Sequence, residues 1–257
     1  MKISFSKYQG AGNDFIIIDN RLVDFDCSNT QLINTLCNRR IGIGADGLIL
    51  LNNHDKYDFE MLYFNADGNL SSMCGNGSRC VVDFAKQLNI FESECHFLAF
   101  DGPHHAKWFE DKVCIQMSNV NQIEIGEDYF FLDTGSPHYV KFVKNIDEID
   151  LLTMGQAIRY NNRFTKEGTN VNFVELNNFG ISIRTYERGV EAETLACGTG
   201  AVACALSTYT KGLIQLNSIP VKVKGGMLLV NFEKERHFKN IYLSGPYQCV
   251  FKGEIVC

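Results

Sequence analysis

Two cysteines stand in the same four-residue setting. Cys74-Gly75-Asn76-Gly77 precedes an apolar-periodic run at Val81, Val82, Phe84 and Ala85. Cys197-Gly198-Thr199-Gly200 precedes Ala201, Val202, Ala203 and Ala205. Each reads as a cysteine entering a glycine-rich helix start. Such a start presents unpaired backbone N–H groups and a partial positive charge. Glycine at the next positions lets a ligand come close to the backbone. Gly75-Asn76 and Gly198-Thr199 are therefore suited to hold one carboxylate between two helix N-termini. The same field favours the thiolate, so Cys74 and Cys197 are placed to ionise, or to share one proton as a coupled pair.

A single thiol of this kind reads as a nucleophile or as a packed side chain. Two of them flanking an anion site suit proton transfer on both faces of one carbon. A thiolate removes a proton from one face, and a thiol delivers one to the other. That is racemisation or epimerisation next to a carboxylate, with oriented N–H groups stabilising the developing negative charge. No lysine reads as a Schiff-base anchor, so pyridoxal is not expected. No metal is expected either: Cys95-His96 with His104-His105 fits no standard zinc spacing and falls in a hairpin. The other cysteines (Cys27, Cys37, Cys80, Cys95, Cys114, Cys204, Cys249 and Cys257) read as packed thiols.

The elements around the two cysteines repeat. A shift of 123 residues carries Asn13 to Ser136, Gly47 to Asn170, Asn65 to Arg188, Cys74 to Cys197 and Gly102 to Gly225, at like boundaries in both halves. Strand-type runs at 13–20, 48–51 and 59–64 lead to the Cys74 helix, and strands at 95–100, 106–109 and 113–117 follow it. Strands at 139–143, 171–176 and 180–187 lead to the Cys197 helix, and strands at 221–224, 227–232 and 240–244 follow. Helical spacing adds segments at 28–40 and 147–158. Two copies of this length are two domains rather than a solenoid: 1–120 carrying Cys74 and 121–257 carrying Cys197, hinged near 119–126. Ligands of such proteins usually bind between domains.

Composition bounds the function. The 257 residues are 45% hydrophobic and carry a net charge of −6, which argues against nucleic acid as partner. Apolar runs such as Phe15–Ile18 and Leu48–Leu51 have strand length, so no membrane span is expected. The N-terminus has no apolar signal core. Ten cysteines without an export signal read as reduced thiols in the cytoplasm.

These residues resemble the diaminopimelate epimerase family over the whole chain. The matching blocks are Gly12-Asn13-Asp14-Phe15, Arg40-x-Gly42-Ile43-Gly44-x-Asp46, Phe64-Asn65-Ala66-Asp67-Gly68 and Met73-Cys74-Gly75-Asn76-Gly77-x-Arg79-Cys80. Pro137-His138, Gly168-Thr169-Asn170-Val171, Tyr186-Glu187-Arg188-Gly189 and Glu193-Thr194-Leu195-Ala196-Cys197-Gly198-Thr199-Gly200 complete them. The resemblance implies a mixed α/β (α+β) fold of two pseudo-symmetric domains, each a β-sheet or barrel around a central helix. The last ten or so residues would pack on the first domain. It implies a cofactor-independent epimerase interconverting LL- and meso-2,6-diaminoheptanedioate for lysine and peptidoglycan precursors, usually a homodimer. Carried over by position, Cys74 and Cys197 are the base/acid pair, and Gly75, Asn76, Gly198 and Thr199 hold the reacting carboxylate. Asn13, Asn65, Asn170, Glu187 and Arg188 bind the rest of the substrate, and His138 and Glu187 tune the thiols.

The chain departs from the family pattern in three places. Some members carry Asn where Ser136 stands and Gln where Gly47 stands, and 189–193 is one residue longer than the common form. These bear on substrate selectivity. The residues by themselves also admit a glutamate- or proline-type racemase, a non-catalytic binder of small acids and a thiol redox protein.

Overall fold

The computed structural model describes residues 2–23, 25–71, 73–109 and 112–256. In chain order its elements begin with β1 (Lys2–Gly10), β2 (Asn13–Asp19), α1 (Thr30–Cys37), β3 (Gly47–Asn52), β4 (Phe59–Asn65), β5 (Leu70–Ser71) and α2 (Gly75–Gln87). Then come β6 (Glu94–Ala99), β7 (Gly102–Phe109), β8 (Lys112–Gln116), β9 (Glu124–Ile125), β10 (Phe130–Asp133), β11 (Pro137–Phe142) and α3 (Leu151–Arg159). The rest are β12 (Asn170–Asn177), β13 (Gly180–Glu187), β14 (Ala192–Glu193), α4 (Gly198–Thr210), β15 (Ser218–Val223), β16 (Gly226–Lys234), β17 (Phe238–Ser244) and β18 (Gln248–Val256).

The chain divides into two compact units, Met1–Ile115 with Gly245–Cys257, and Gln116–Ser244. The second unit is therefore shorter than the 121–257 read from the sequence. The physical reason is β18, which pairs antiparallel with β1 from Lys2↔Val256 to Gln9↔Gln248 and so belongs to the first unit.

Within the first unit β1, β2, β3, β4, β6 and β7 pair in that order, with β2–β3 and β4–β6 parallel and the others antiparallel. The run Phe15-Ile16-Ile17-Ile18 is buried throughout, as is Leu48–Leu51, because both faces of these strands are covered. One face packs on α1, through Ile16, Ile18, Leu48 and Leu50 against Ile33 and Leu36. The other faces α2, where the space beside Gly77 is filled by Phe15, Ile49 and Met61. Helix α2 is accordingly buried on every side from Asn76 to Ala85. α1 is amphipathic and starts where the Asn29 side chain accepts from Leu32 N–H at 2.9 Å.

The second unit repeats this plan. β10–β11 and β12–β13 are antiparallel, β11–β12 and β13–β15 parallel. α4 touches strands β10 to β13 and β15 to β17, so the sheet curls around it, and it is buried from Gly200 to Thr208. α3 covers the outer face, with Leu151 packed among Phe164, Val171, Phe173 and Tyr186.

A shift of 123 carries both ends of α2 onto both ends of α4. It also carries the pair Phe15↔Gly47 onto His138↔Asn170. One register departs from it. Leu48 faces Phe64, whereas Val171 faces Tyr186, one residue short of the shift. By register Asn65 thus corresponds to Glu187, not to Arg188. The turn after Glu187 absorbs the extra residue: Gly189 and Glu191 take positive φ, and Glu191 N–H closes on Glu187 C=O at 2.8 Å.

Candidate active site

Each unit carries one half of the candidate constellation at the start of its buried helix. In the first unit Cys74 is the N-cap of α2 with extended backbone (φ −99°, ψ 120°) and no side-chain cap bond. The Cys74 side chain thus leaves the first-turn N–H groups uncapped, which suits an anion. Gly10 brings β1 against this turn, and a Cβ there would meet Asn76 C=O at 2.8 Å. The half-buried Cys74 thiol donates to Asn13 Oδ1 at 3.6 Å. Asn13 in turn donates through Nδ2 to Asp46 Oδ2 at 2.5 Å. Sequence reasoning does not single out Asp46, although its matched block contains it.

Behind Asn13 lies a charged cluster. Burial opposes ionisation of Asp14, but hydrogen bonds from Arg39 and Lys7 hold it well below the usual carboxylate range. The Lys7 ammonium is itself buried and reaches Asp14 at 2.7 Å and Gly44 C=O. Asn76 is buried, and its Oδ1 accepts from Arg79 Nη2 at 2.7 Å. Asn65 is exposed at the end of β4, opposite Gly47. A Cβ on Gly47 would lie 2.5 Å from Tyr63 Cε2, so the Tyr63 ring takes the volume a side chain would need there.

In the second unit Cys197 is the N-cap of α4, again extended (φ −118°, ψ 112°) and without a side-chain cap bond. It is more buried than Cys74, 8% exposed, with its Sγ 3.5 Å from Thr199 Oγ1. Thr134 fixes the turn by donating to Thr199 C=O at 2.9 Å. A Cβ on Gly200 would fall 2.6 Å from Asn172 Oδ1 and 3.3 Å from Cys197 Sγ, so only glycine fits.

His138 is fully buried at the start of β11. Burial, then the positive charge of Arg188, push its pKa down to about 3. Asn172 Nδ2 lies 3.0 Å from His138 Nδ1 and 3.0 Å from Tyr139 C=O, while Asn172 Oδ1 accepts from Thr185. The amide therefore donates to Nδ1, and the ring proton sits on Nε2. His138 is a neutral imidazole that can act on its surroundings by hydrogen bonding and not by charge. Asn172, a buried amide inside the apolar run Val171–Val174, escapes sequence reasoning. Its polarity at a core position is the signal that could have found it.

Glu187, Arg188 and Asn170 come together at the ends of β12 and β13. Burial raises the Glu187 pKa, partly offset by Thr194 Oγ1 donating at 2.7 Å. Asn170 Oδ1 accepts from Arg188 N–H at 2.9 Å, and its Nδ2 donates to Ser136 Oγ at 2.9 Å. The exposed Arg188 guanidinium donates to Glu167 C=O at 2.9 Å and to Ser136 Oγ at 3.4 Å. Among the described residues no carboxylate forms an ion pair with it, so it keeps donors for an anion.

The reading of all eight remaining cysteines as packed thiols is corrected. Cys27 is exposed, and Cys114 and Cys249 are half-buried, so they are not core thiols; Cys257 lies outside the described residues. His96 and His105 stack across the β6–β7 hairpin at 4.6 Å.

The chain matches the family model for diaminopimelate epimerase over residues 5–123 and 130–250. It is 52% identical to the diaminopimelate epimerase of Flavobacterium psychrophilum, covering 97% of this chain and 98% of that one. Identity to the enzyme of the same name from Chlorobaculum tepidum is 45%, over 96% and 98% of the two chains. Among solved structures, a PhzF-family phenazine biosynthesis protein of Bacillus anthracis superposes with a TM-score of 0.75 at 12% identity, covering all of both chains. A probable proline racemase from Agrobacterium radiobacter superposes at 0.68 with 14% identity, over 99% of this chain and 93% of that one. These two likenesses concern the fold alone.

Proposed function

The chain belongs to the diaminopimelate epimerase family, and on that premise we propose that it is a cofactor-independent two-base epimerase interconverting LL- and meso-2,6-diaminoheptanedioate. The observation that carries this reading is the identical placement of the two cysteines. Each is the extended N-cap of a buried thirteen-residue helix, and in neither does the cysteine side chain cap the first turn. The N–H groups of Gly75-Asn76 and Gly198-Thr199 take the reacting carboxylate and the charge that develops on it.

The reaction needs no other reagent. One cysteine, as thiolate, takes the α-proton and becomes a thiol. The carbanion is stabilised through the carboxylate. The other cysteine gives its S–H proton to the opposite face and becomes the thiolate. In the reverse direction the roles exchange. Arg188 clamps the distal carboxylate. Glu187, Asn170, Asn13 and Asn65 bind the rest of the substrate, and His138 supports the second half-site as a neutral donor. The protein works as a cytoplasmic homodimer supplying lysine and peptidoglycan precursors.

Cys74→Ala and Cys197→Ala should each abolish epimerisation. The matching Cys→Ser variants should still exchange the α-proton with solvent deuterium, each from one stereoisomer only. Normal turnover in both directions by either alanine variant would sink the two-base assignment. Turnover of glutamate or proline at the rate seen with diaminopimelate would instead favour a broader racemase.

A further inference from the structure

Arg79 is fully buried in α2, one turn past Cys74. Its Nη1 donates to Gly75 C=O at 3.1 Å and its Nη2 to Asn76 Oδ1 at 2.7 Å. Nε has no hydrogen-bond partner among the described residues. Among the described residues no carboxylate pairs with it. Asp83, one further turn along the helix, is taken by Tyr8 and Gln87. A guanidinium removed from water without a counter-ion is an expensive group, and here its fork is turned back over the first turn of the helix.

The counterpart of Arg79 in α4, 123 positions on, is Val202. The two half-sites thus match in their cysteine, their glycines and their helix bounds, but only the first has a buried cation on the cysteine helix itself. From this asymmetry we propose that Arg79 is a positioning residue that makes the two thiols unequal, so that Cys74 is the one ionised in the resting enzyme, and that it aims the Asn76 amide at the reacting carboxylate. This rests on the two-base reading above.

The second part follows from hydrogen-bond chemistry. Arg79 can only donate, so it holds Asn76 by its oxygen and leaves Nδ2 to donate outward. The first part follows from charge. Burial lowers the guanidinium's own pKa, while the thiols of Cys80 and Cys74 act on it in the opposite sense, which places Cys74 within its electrostatic reach. Other groups around Cys74 act too. Asn13 Oδ1 accepts from the thiol and favours its protonated form, with Asp46 behind it. Asp101, paired with His104, accepts from Met73 N–H at 3.1 Å. Cys80 on α2 stays protonated, since burial raises its pKa above the usual thiol range. A weak S–H donor bond at 3.6 Å is a smaller effect than a full charge in a dry site, and the helix terminus adds to the charge.

The test is the pH profile of alkylation by iodoacetamide, followed at each cysteine by peptide mass spectrometry. The midpoint is read rather than the rate, because Cys197 is the more buried. In the wild type the Cys74 midpoint should lie below that of Cys197 by about one pH unit or more. Arg79→Met should raise the Cys74 midpoint by about one unit and leave Cys197 unchanged. Arg79→Lys should restore most of the midpoint yet still raise KM for diaminopimelate, because an ammonium keeps the charge without the fork that orients Asn76. A wild-type Cys197 midpoint equal to or below that of Cys74 overturns the proposal, as does a folded Arg79→Met protein with an unmoved Cys74 midpoint. Should Arg79→Met not fold, the wild-type comparison decides alone. The alkylation midpoints do not depend on the epimerase reading, which stands or falls on the Cys→Ala variants.

Discussion

His138 gives the protein an acid-sensitive element whose size can be worked out. Its ring is fully buried and its pKa is held down to about 3 against 6.5 for an ordinary histidine. A group with a depressed folded-state pKa is protonated first in the unfolded chain, so stability is full above about pH 6.5 and drains away as the pH falls towards about 3. The loss from this one ring is about 1.4 kcal/mol at about pH 5.5 and about 2.7 kcal/mol at about pH 4.5. Neither figure depends much on how far below about 4 the folded value lies. Replacing His138 by Gln removes the titration and lowers stability at neutral pH, because the Asn172 amide loses a good acceptor. Urea unfolding of both proteins at about pH 7.5 and 5.5 isolates the effect, since the double difference cancels every other titrating group. Far-UV circular dichroism is the right probe: the single tryptophan, Trp108, lies in the other unit. The wild type should lose about 1.4 kcal/mol more than the variant between those two conditions. Equal losses would mean that His138 is charged in the folded protein, and the hydrogen-bond assignment through Asn172 would be wrong.

Two predictions concern the charged residues of the half-sites. Asp14→Asn leaves the buried Lys7 ammonium without its carboxylate, and should cost about 3–5 kcal/mol in denaturant unfolding; a loss under about 1 kcal/mol would show that Lys7 reaches water in solution. Arg188→Ala removes an exposed guanidinium that holds no internal ion pair among the described residues, so stability should change little while KM for diaminopimelate rises by about one to two orders of magnitude. An unchanged KM would remove Arg188 from the set of substrate ligands.

The two cysteine helices were legible because their signals are local. Gly75, Gly77, Gly198 and Gly200 mark a start; behind Gly200 the run Ala201–Leu206 has no polar face, as a helix enclosed by a sheet requires, whereas behind Gly77 the apolar residues share α2 with Arg79, Asp83 and Lys86. The runs at Phe15–Ile18 and Leu48–Leu51 were equally plain, because strands buried on both faces read as continuous apolar stretches. What the sequence hid depends on pairing. β1 is hidden because its alternation, Lys2-Ile3-Ser4-Phe5-Ser6, breaks at Lys7, where a buried position carries a charge. Lys7 is buried only because Asp14, seven residues on, neutralises it. The slip of one residue between Asn65 and Glu187 is a property of strand register, and a constant shift along the chain cannot reveal it. Arg79 was visible as a residue in a matching block, but its isolation from every described carboxylate exists only in three dimensions.

The pairing of β18 with β1 has a consequence for biosynthesis. During translation β1 leaves the ribosome well before β18, which follows only after the whole of Gln116–Ser244 has been made. The later unit is continuous in sequence, so it can close upon itself while the earlier one still presents an open strand edge from Lys2 to Gln9. The order of completion is the reverse of the order of synthesis. Through that interval an unsealed edge is a template for intermolecular pairing, and the exposed charge on it, Lys2, is what discourages such pairing until β18 arrives.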